Sequence, residues 1–310
     1  MHPAFSIVFF TTLAGIAQGL VVALAVAVLL GPVPSVGFLS AALLLAGVLL
    51  LLGLGSSFLH LGRPERAWRA ALMWRTSWMS REVIVLPAFI GIVALWWLAL
   101  QSGLGAPWPS LLPVVALVGA ALLWYCTAMI YACVRFIQEW AHPLTLVNYT
   151  LIGLSSGLVL ACALAAGYGE AALLRAVAPW ALIATLAAWF TRTLALRRNA
   201  ALKPKSTLQS ATGIRAPQLV QKSMGMSAGS FNTREFFHGA GLAAMRQTKL
   251  AFLVLGFALP SLLLAWGLLG GPAAVWWLAL LVQAPGLVAE RWFFFAQARH
   301  PQNLYYQQVS

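Results

Sequence analysis

Long apolar stretches without charged residues are the dominant pattern in this chain. The first charged side chain is Arg63, and the stretches 83–134, 140–169 and 250–289 also contain no Lys, Arg, Asp or Glu. A helix needs about 20 apolar residues to cross the hydrocarbon of a bilayer. Backbone groups in lipid must form their hydrogen bonds within the segment, which such lengths achieve as helices. The pattern therefore predicts an all-α, polytopic membrane bundle.

Turn-forming clusters divide these stretches into eight spans. The residues at 31–35, 101–107 and 270–272 are rich in Gly, Pro and Ser, which favour turns. The predicted transmembrane helices are about 5–30, 36–60, 82–101, 108–138, 143–167, 171–191, 250–269 and 273–297. The segment 198–248 is predicted to be a long docking loop for another protein, because long loops are usually functional or disordered. For its end, 231–239, a helix lying among the lipid headgroups is the alternative.

Composition and charge agree with a membrane protein and orient it. Only 8% of the residues are charged and 62% are hydrophobic, whereas soluble domains have about 25% charged residues. With eight spans both termini share one side, and that side holds eighteen of the nineteen Lys and Arg residues, all except Arg175. The positive-inside rule then predicts that both termini are cytoplasmic. It also accounts for the net charge of +13, and no nucleic-acid-binding motif accompanies that charge.

The three cysteines do not predict a metal site. Cys126, Cys133 and Cys162 all fall in apolar spans and form no CxxC pair. An iron–sulfur cluster needs about four thiolates. We therefore expect no metal centre within this chain, and any cluster that serves it must belong to a partner.

Two ionisable residues at the edge of the membrane are candidates for proton chemistry. His60 ends the second span and Glu82 begins the third, so both are predicted on the terminal side at similar depth. Ionisable groups at membrane depth are functional candidates by default. Reduction of a quinone adds two protons, which a histidine and a nearby carboxylate can supply. Aromatic walls for the ring are available from Trp68, Trp74 and Trp78.

Other interpretations of these residues stay open at this point. His60 can serve as a helix C-terminal residue and Glu82 as a partner of a helix N-terminus, where those charges are favoured. A b-type haem between His60 and His142 is a second alternative, since such haems take two axial ligands. A transporter is the third, although ionisable groups at one edge do not favour it. Glu290 and Arg291, which interrupt the last span, are interpreted as structural.

The motifs around these residues carry a family resemblance. His60-Leu61-Gly62-Arg63-Pro64 and Ser80-Arg81-Glu82, within an eight-span layout, resemble the DmsC-like membrane anchors of molybdenum oxidoreductases. The resemblance implies a subunit that reacts with ubiquinone or menaquinone and holds an iron–sulfur subunit and a molybdopterin catalytic subunit. It implies that His60 and Glu82 handle protons, that Arg63, Ser80 and Arg81 help to bind the quinone, and that no haem is present.

The charge bias selects one group within that family. Anchors of dimethyl sulfoxide reductases hold their partners outside the cytoplasm, whereas here the docking side is predicted to be cytoplasmic. The residues 1–6 and 231–239 are similar to the SoeC-type anchors of cytoplasm-facing sulfite dehydrogenases. This similarity implies a bacterial inner-membrane subunit that passes electrons from sulfite oxidation to quinone. A dimethyl sulfoxide reductase-type anchor that oxidises menaquinol is the alternative.

Overall fold

A computed structural model describes residues 1–59, 61–220 and 238–301, and in that part of the chain the regular structure is helical. Eight helices are long and apolar enough to cross a membrane, as predicted. The helices are α1 (Phe5–Leu30), α2 (Val36–Phe58), a 3₁₀ helix (Pro64–Met73), α3 (Trp78–Gln101), α4 (Trp108–Ala132), α5 (Pro143–Tyr168), α6 (Ala171–Ala200), the short α7 (Leu208–Thr212), α8 (Leu242–Leu268) and α9 (Ala274–Ala296).

Several helix ends differ from the sequence prediction. The sixth helix runs on to Ala200, the seventh begins at Leu242, and the fourth stops at Ala132 instead of 138. The sixth and seventh helices extend past the apolar stretch and include charged residues such as Arg192 and Arg246. Hydrophobicity alone therefore ends the sixth helix too early and begins the seventh too late. The predicted loop at 198–248 is shorter at both ends and contains α7. Its residues 221–237 lie outside the described residues.

The α1–α5 crossing at the centre of the bundle depends on glycine. Helix α1 packs against α2, α4 and α5. A Cβ added at Gly157 of α5 would overlap the backbone of Gly19 in α1, and one at Gly19 would overlap Gly153 and Gly157. Small residues let membrane helices approach to backbone contact, which replaces the hydrophobic driving force that lipid removes.

Helix α8 changes its pitch where it meets α9. A π-helical stretch, Val254–Ala258, precedes Pro260. Proline has no N–H to donate to the carbonyl four residues earlier, and that carbonyl, of Gly256, instead lies 3.5 Å from the Gln283 amide nitrogen of α9. The two helices cross closely here, since a Cβ at Gly286 would overlap the Gly256 backbone.

Hydrogen bonds tie the loops of each end of the bundle together. At one end the Met1 amino group donates to the Ala298 carbonyl (2.9 Å), and the Gln138 amide donates to the Lys203 carbonyl (3.3 Å). At the other end the Ser35 N–H donates to the Glu170 carboxylate (3.0 Å). We call the first end the terminal face. It gathers the loop after α2, the α4–α5 connection and the segment after α6.

Candidate functional site

The first turn of α3 places the motif Ser80-Arg81-Glu82 at the terminal face. Ser77 caps this turn, because its hydroxyl accepts a hydrogen bond from the Ser80 N–H (3.4 Å), as expected of an N-cap serine. Ser80 and Glu82 are buried among the helices, and Arg81 is partly exposed between them. The capped turn therefore directs a carboxylate into the bundle and a guanidinium toward the loop.

Arg81 fixes the end of the 3₁₀ helix against α3. Its Nε donates to the Trp74 carbonyl and its Nη2 to the Arg75 carbonyl, each at 2.9 Å. The guanidinium also lies 4.0 Å from the centre of the Trp78 ring, a distance at which cation–π attraction operates. These contacts hold the connection between the second and third spans against the start of α3, where the sequence alone predicts only a short loop.

Glu82 is a buried carboxyl with a hydroxyl partner. Its side chain is 7% exposed, and its Oε1 accepts a hydrogen bond from the hydroxyl of Thr127 in α4. Trp78 lies one turn before Glu82 on the same face of α3, and its ring meets that of Tyr125 edge to face at 5.2 Å. The first turn of α3 thus carries a carboxyl bonded to a hydroxyl of α4 and, one turn earlier, a tryptophan ring against Tyr125.

The other predicted site residues are placed as follows. His60 lies outside the described residues. Arg63 is exposed and immediately precedes the 3₁₀ helix. Of the predicted aromatic walls, Trp68 and Trp74 are exposed, each under the guanidinium of the next residue along the chain. Within the described residues, Ser80, Arg81, Glu82 and Trp78 are the ones brought together.

His142, the second residue of the haem alternative, caps α5. Its Nδ1 accepts a hydrogen bond from the Leu144 N–H (3.1 Å). Burial, and then the nearby Arg198, lower the pKa of this histidine below its ordinary value. His142 is therefore a neutral group at neutral pH, at the edge of the bundle.

A buried ionic cluster on the terminal side is a feature that the sequence did not predict. Arg192 of α6 is 2% exposed and Glu290 of α9 is 1% exposed, and Arg192 Nε lies 2.6 Å from Glu290 Oε1. Arg291 Nε lies 3.6 Å from Glu290 Oε2, and its guanidinium lies 3.8 Å from the centre of the Tyr149 ring. The apolar stretch ends before Arg192, so the sequence alone predicts that this arginine lies in a loop.

Thr127 is likewise absent from the sequence prediction, since a threonine in an apolar helix gives no signal of its own. Its position on α4 opposite Glu82 depends on how α3 packs against α4. The spacing of apolar residues along the sequence does not show which face of α4 packs against α3.

The chain is thus an eight-span helical bundle with a buried carboxyl, Glu82, near its terminal face. Residues 1–268 match the family described as DMSO reductase anchor subunit (DmsC), and the chain belongs to that family. It is also 47% identical to a sulfite dehydrogenase subunit of Allochromatium vinosum, over 326 aligned positions that cover all of both chains.

Proposed function

We propose that this chain is the quinone-reactive membrane anchor of a sulfite-oxidising molybdenum enzyme. In this role it holds an iron–sulfur subunit and a molybdopterin catalytic subunit at the terminal face. Electrons from sulfite oxidation pass through the iron–sulfur subunit to a quinone of the membrane, ubiquinone or menaquinone. The observation that carries the proposal is the full-length 47% identity to a subunit of a sulfite dehydrogenase.

The geometry around Glu82 supports the quinone site. A quinone headgroup needs an apolar slot with hydrogen-bonding groups for its two carbonyls, and its reduction consumes two protons. Glu82 and Thr127 supply a protonatable carboxyl and a hydroxyl, and Trp78 with Tyr125 supplies aromatic surface. We propose Glu82 and His60 as the proton-transfer residues, with Arg63, Ser80 and Arg81 helping to bind the quinone.

The charge distribution supports a cytoplasmic location for the partners. The side of the termini carries eighteen of the nineteen basic residues of the chain, which favours its retention on the cytoplasmic side of a bacterial inner membrane. The catalytic and iron–sulfur subunits would then oxidise sulfite produced inside the cell. This orientation is opposite to that of the dimethyl sulfoxide reductase anchors named in the resemblance.

A dimethyl sulfoxide reductase-type anchor that oxidises menaquinol is the second candidate, because the matched family carries that enzyme's name. The two functions differ in substrate and in the direction of electron flow. A haem bound by this chain is a separate alternative, and a Soret band in the purified anchor would support it.

The test is the activity of the complex that copurifies with this chain. We expect a molybdopterin subunit and an iron–sulfur subunit to copurify, sulfite to drive reduction of an added quinone, and dimethyl sulfoxide not to oxidise quinol at a comparable rate. The matched control is the pair of soluble subunits without the anchor, which should reduce an artificial acceptor but not quinone. A complex that reduces dimethyl sulfoxide with quinol and ignores sulfite would refute the assignment.

A further inference from the structure

A small cavity lies beside the buried ionic cluster at the terminal face. It is bordered by α5, α6, α9 and the α4–α5 connection, and its volume of about 10 Å³ matches a single water-sized site. Its lining includes polar groups from all of these elements: Glu139, Tyr149, Arg192, Glu290, Arg291 and Gln297.

The unsatisfied hydrogen-bonding groups of this cavity complement one water molecule. Arg192 Nη2 and Gln297 Nε2 are buried donors without a hydrogen-bond partner among the described residues, and Glu290 Oε2 is a buried acceptor of the same kind. The buried Tyr149 hydroxyl has capacity for a further bond. A water can accept from the two nitrogens and donate to the carboxylate and the hydroxyl, which meets the two to four polar partners that buried waters need.

Polar side chains continue from this cavity to Glu82. The Tyr149 ring is stacked on Tyr131 with the ring centres 5.7 Å apart. Tyr131 lies one turn after Thr127 on α4, so the two share a face of that helix. Thr127 in turn donates its hydrogen bond to the Glu82 carboxyl. The series crosses from α9 through α5 and α4 to α3.

We propose that this cavity binds an ordered water, and that the water, Tyr149 and Tyr131 form a proton route from the terminal face to Glu82. The inference rests on the proposed quinone site. Each hydroxyl would pass on its own proton as it accepts another, so the route changes no bond permanently. The protons would end on the quinone, whose electrons come from the docked iron–sulfur subunit.

The surrounding charges define the roles along the route. Glu290 and Arg192 orient the water and are positioning residues, while Glu139, His142 and Arg198 border the cavity next to the surface. The charged and titratable groups that face Glu290 are Arg192 from α6, Arg291 on its own helix and Tyr149 from α5. His142 is not a relay in this route, because its Nδ1 already accepts the Leu144 N–H and its other ring nitrogen carries the hydrogen of the neutral imidazole.

Tyr131→Phe in the intact complex tests the route, because it removes one hydroxyl and keeps the stacked ring. We expect sulfite-driven quinone reduction to fall about tenfold or more, in line with the loss of a positioned proton carrier. The solvent deuterium isotope effect on quinone reduction should be larger than in the wild type. The rate of quinone reduction should also decrease more steeply as the pH is raised. Artificial-acceptor reduction and thermal stability should not change. Tyr168→Phe, at an exposed position remote from the terminal face, is the matched control.

The outcomes separate the two proposals. A Tyr131→Phe complex with the wild-type rate and isotope effect would overturn the route while leaving the quinone function standing. A wild-type complex that does not reduce quinone at all would overturn both.

The water can be tested without any activity assay. A high-resolution map of the complex should show one density peak within about 2.7–3.2 Å of Arg192 Nη2 and Glu290 Oε2, the range of ordinary hydrogen bonds. A cavity that is empty, or closed by a side chain, would contradict the proposal.

Discussion

The hydrogen bond between Thr127 and Glu82 joins two residues whose positions depend on each other. Thr127 is one of many small side chains on an apolar helix, yet its hydroxyl donates to a carboxyl that is otherwise enclosed by the bundle. A hydrogen bond to such a group restricts the direction of the carboxyl, and under the proposed function it would set which oxygen faces the quinone. The position of Glu82, rather than its presence alone, therefore determines whether it can transfer a proton.

Thr127→Val removes this hydroxyl with little change in shape. A hydrogen bond to a charged group contributes about 1.5–3 kcal/mol, so we expect quinone reduction to fall about tenfold or more while artificial-acceptor reduction is kept. Steady-state rates with the two acceptors measure the effect. Thr11→Val is the control, since the Thr11 hydroxyl bonds only carbonyls of its own helix among the described residues. Equal losses in both variants would remove the special role of Thr127.

The buried ionic cluster predicts that removing its carboxylate destabilises the protein more than removing one of its arginines. Glu290→Gln leaves both Arg192 and Arg291 without their carboxylate, whereas Arg192→Met leaves Glu290 beside Arg291. An uncompensated buried charge costs about 3–5 kcal/mol, so we expect Glu290→Gln to lower the thermal midpoint more than Arg192→Met. Unfolding of the purified protein in detergent measures the order of the two variants, and the reverse order would show that the pairing is described incorrectly.

At the level of the elements, the helix count was accessible from sequence and the helix ends were not. Long uncharged stretches and Gly/Pro turns define eight spans because lipid excludes unbonded backbone. Helices α6 and α8 extend past those stretches, which is why the burial of Arg192 could not be predicted. Glu82 was recognisable because it belongs to a distinctive motif at the predicted start of a span. The contact of Thr127 with Glu82 and the lining of the cavity beside α9 depend on which helices pack against each other. A single sequence does not show which helices are neighbours.

The α1–α5 crossing gives a test of the packing. Gly157→Ala would place a Cβ against the backbone of Gly19, and overpacking of this kind costs about 1–3 kcal/mol or more. We expect a lower thermal midpoint in detergent for this variant. Gly47→Ala is the control because a Cβ there meets open space. If the two variants have the same thermal midpoint, helices α1 and α5 do not approach each other as closely as described.

Within the described residues, the two ends of the molecule differ in charge. Both ends of the described chain, the capped start of α3 and the ionic cluster lie at the terminal face, while Glu170 and Arg175 lie toward the opposite end. Such a division suits an anchor that meets its soluble partners on one side only. Under the proposed function, electrons and protons would reach the quinone from the same side of the membrane.

This arrangement predicts the labelling of single cysteines by a membrane-impermeant maleimide. Val33, in the connection after α1, and Glu65, in the first turn of the 3₁₀ helix, are exposed at opposite ends of the bundle. In a Cys133→Ser background, which removes the exposed native thiol, Glu65→Cys should react only in inside-out vesicles and Val33→Cys only in right-side-out vesicles. The opposite result would place the terminal face outside the cytoplasm and would favour the dimethyl sulfoxide reductase alternative.

The most direct test of the quinone site compares two electron acceptors in a Glu82→Gln complex. The measurement is the rate of sulfite-driven quinone reduction divided by the rate of artificial-acceptor reduction, in this variant, in His60→Ala and in the wild type. Loss of a positioned general acid or base typically costs about 10²–10⁴ in rate. We therefore predict that the ratio falls at least a hundredfold in both variants while the complex stays assembled. A ratio equal to that of the wild type in both would contradict the assignment of the site.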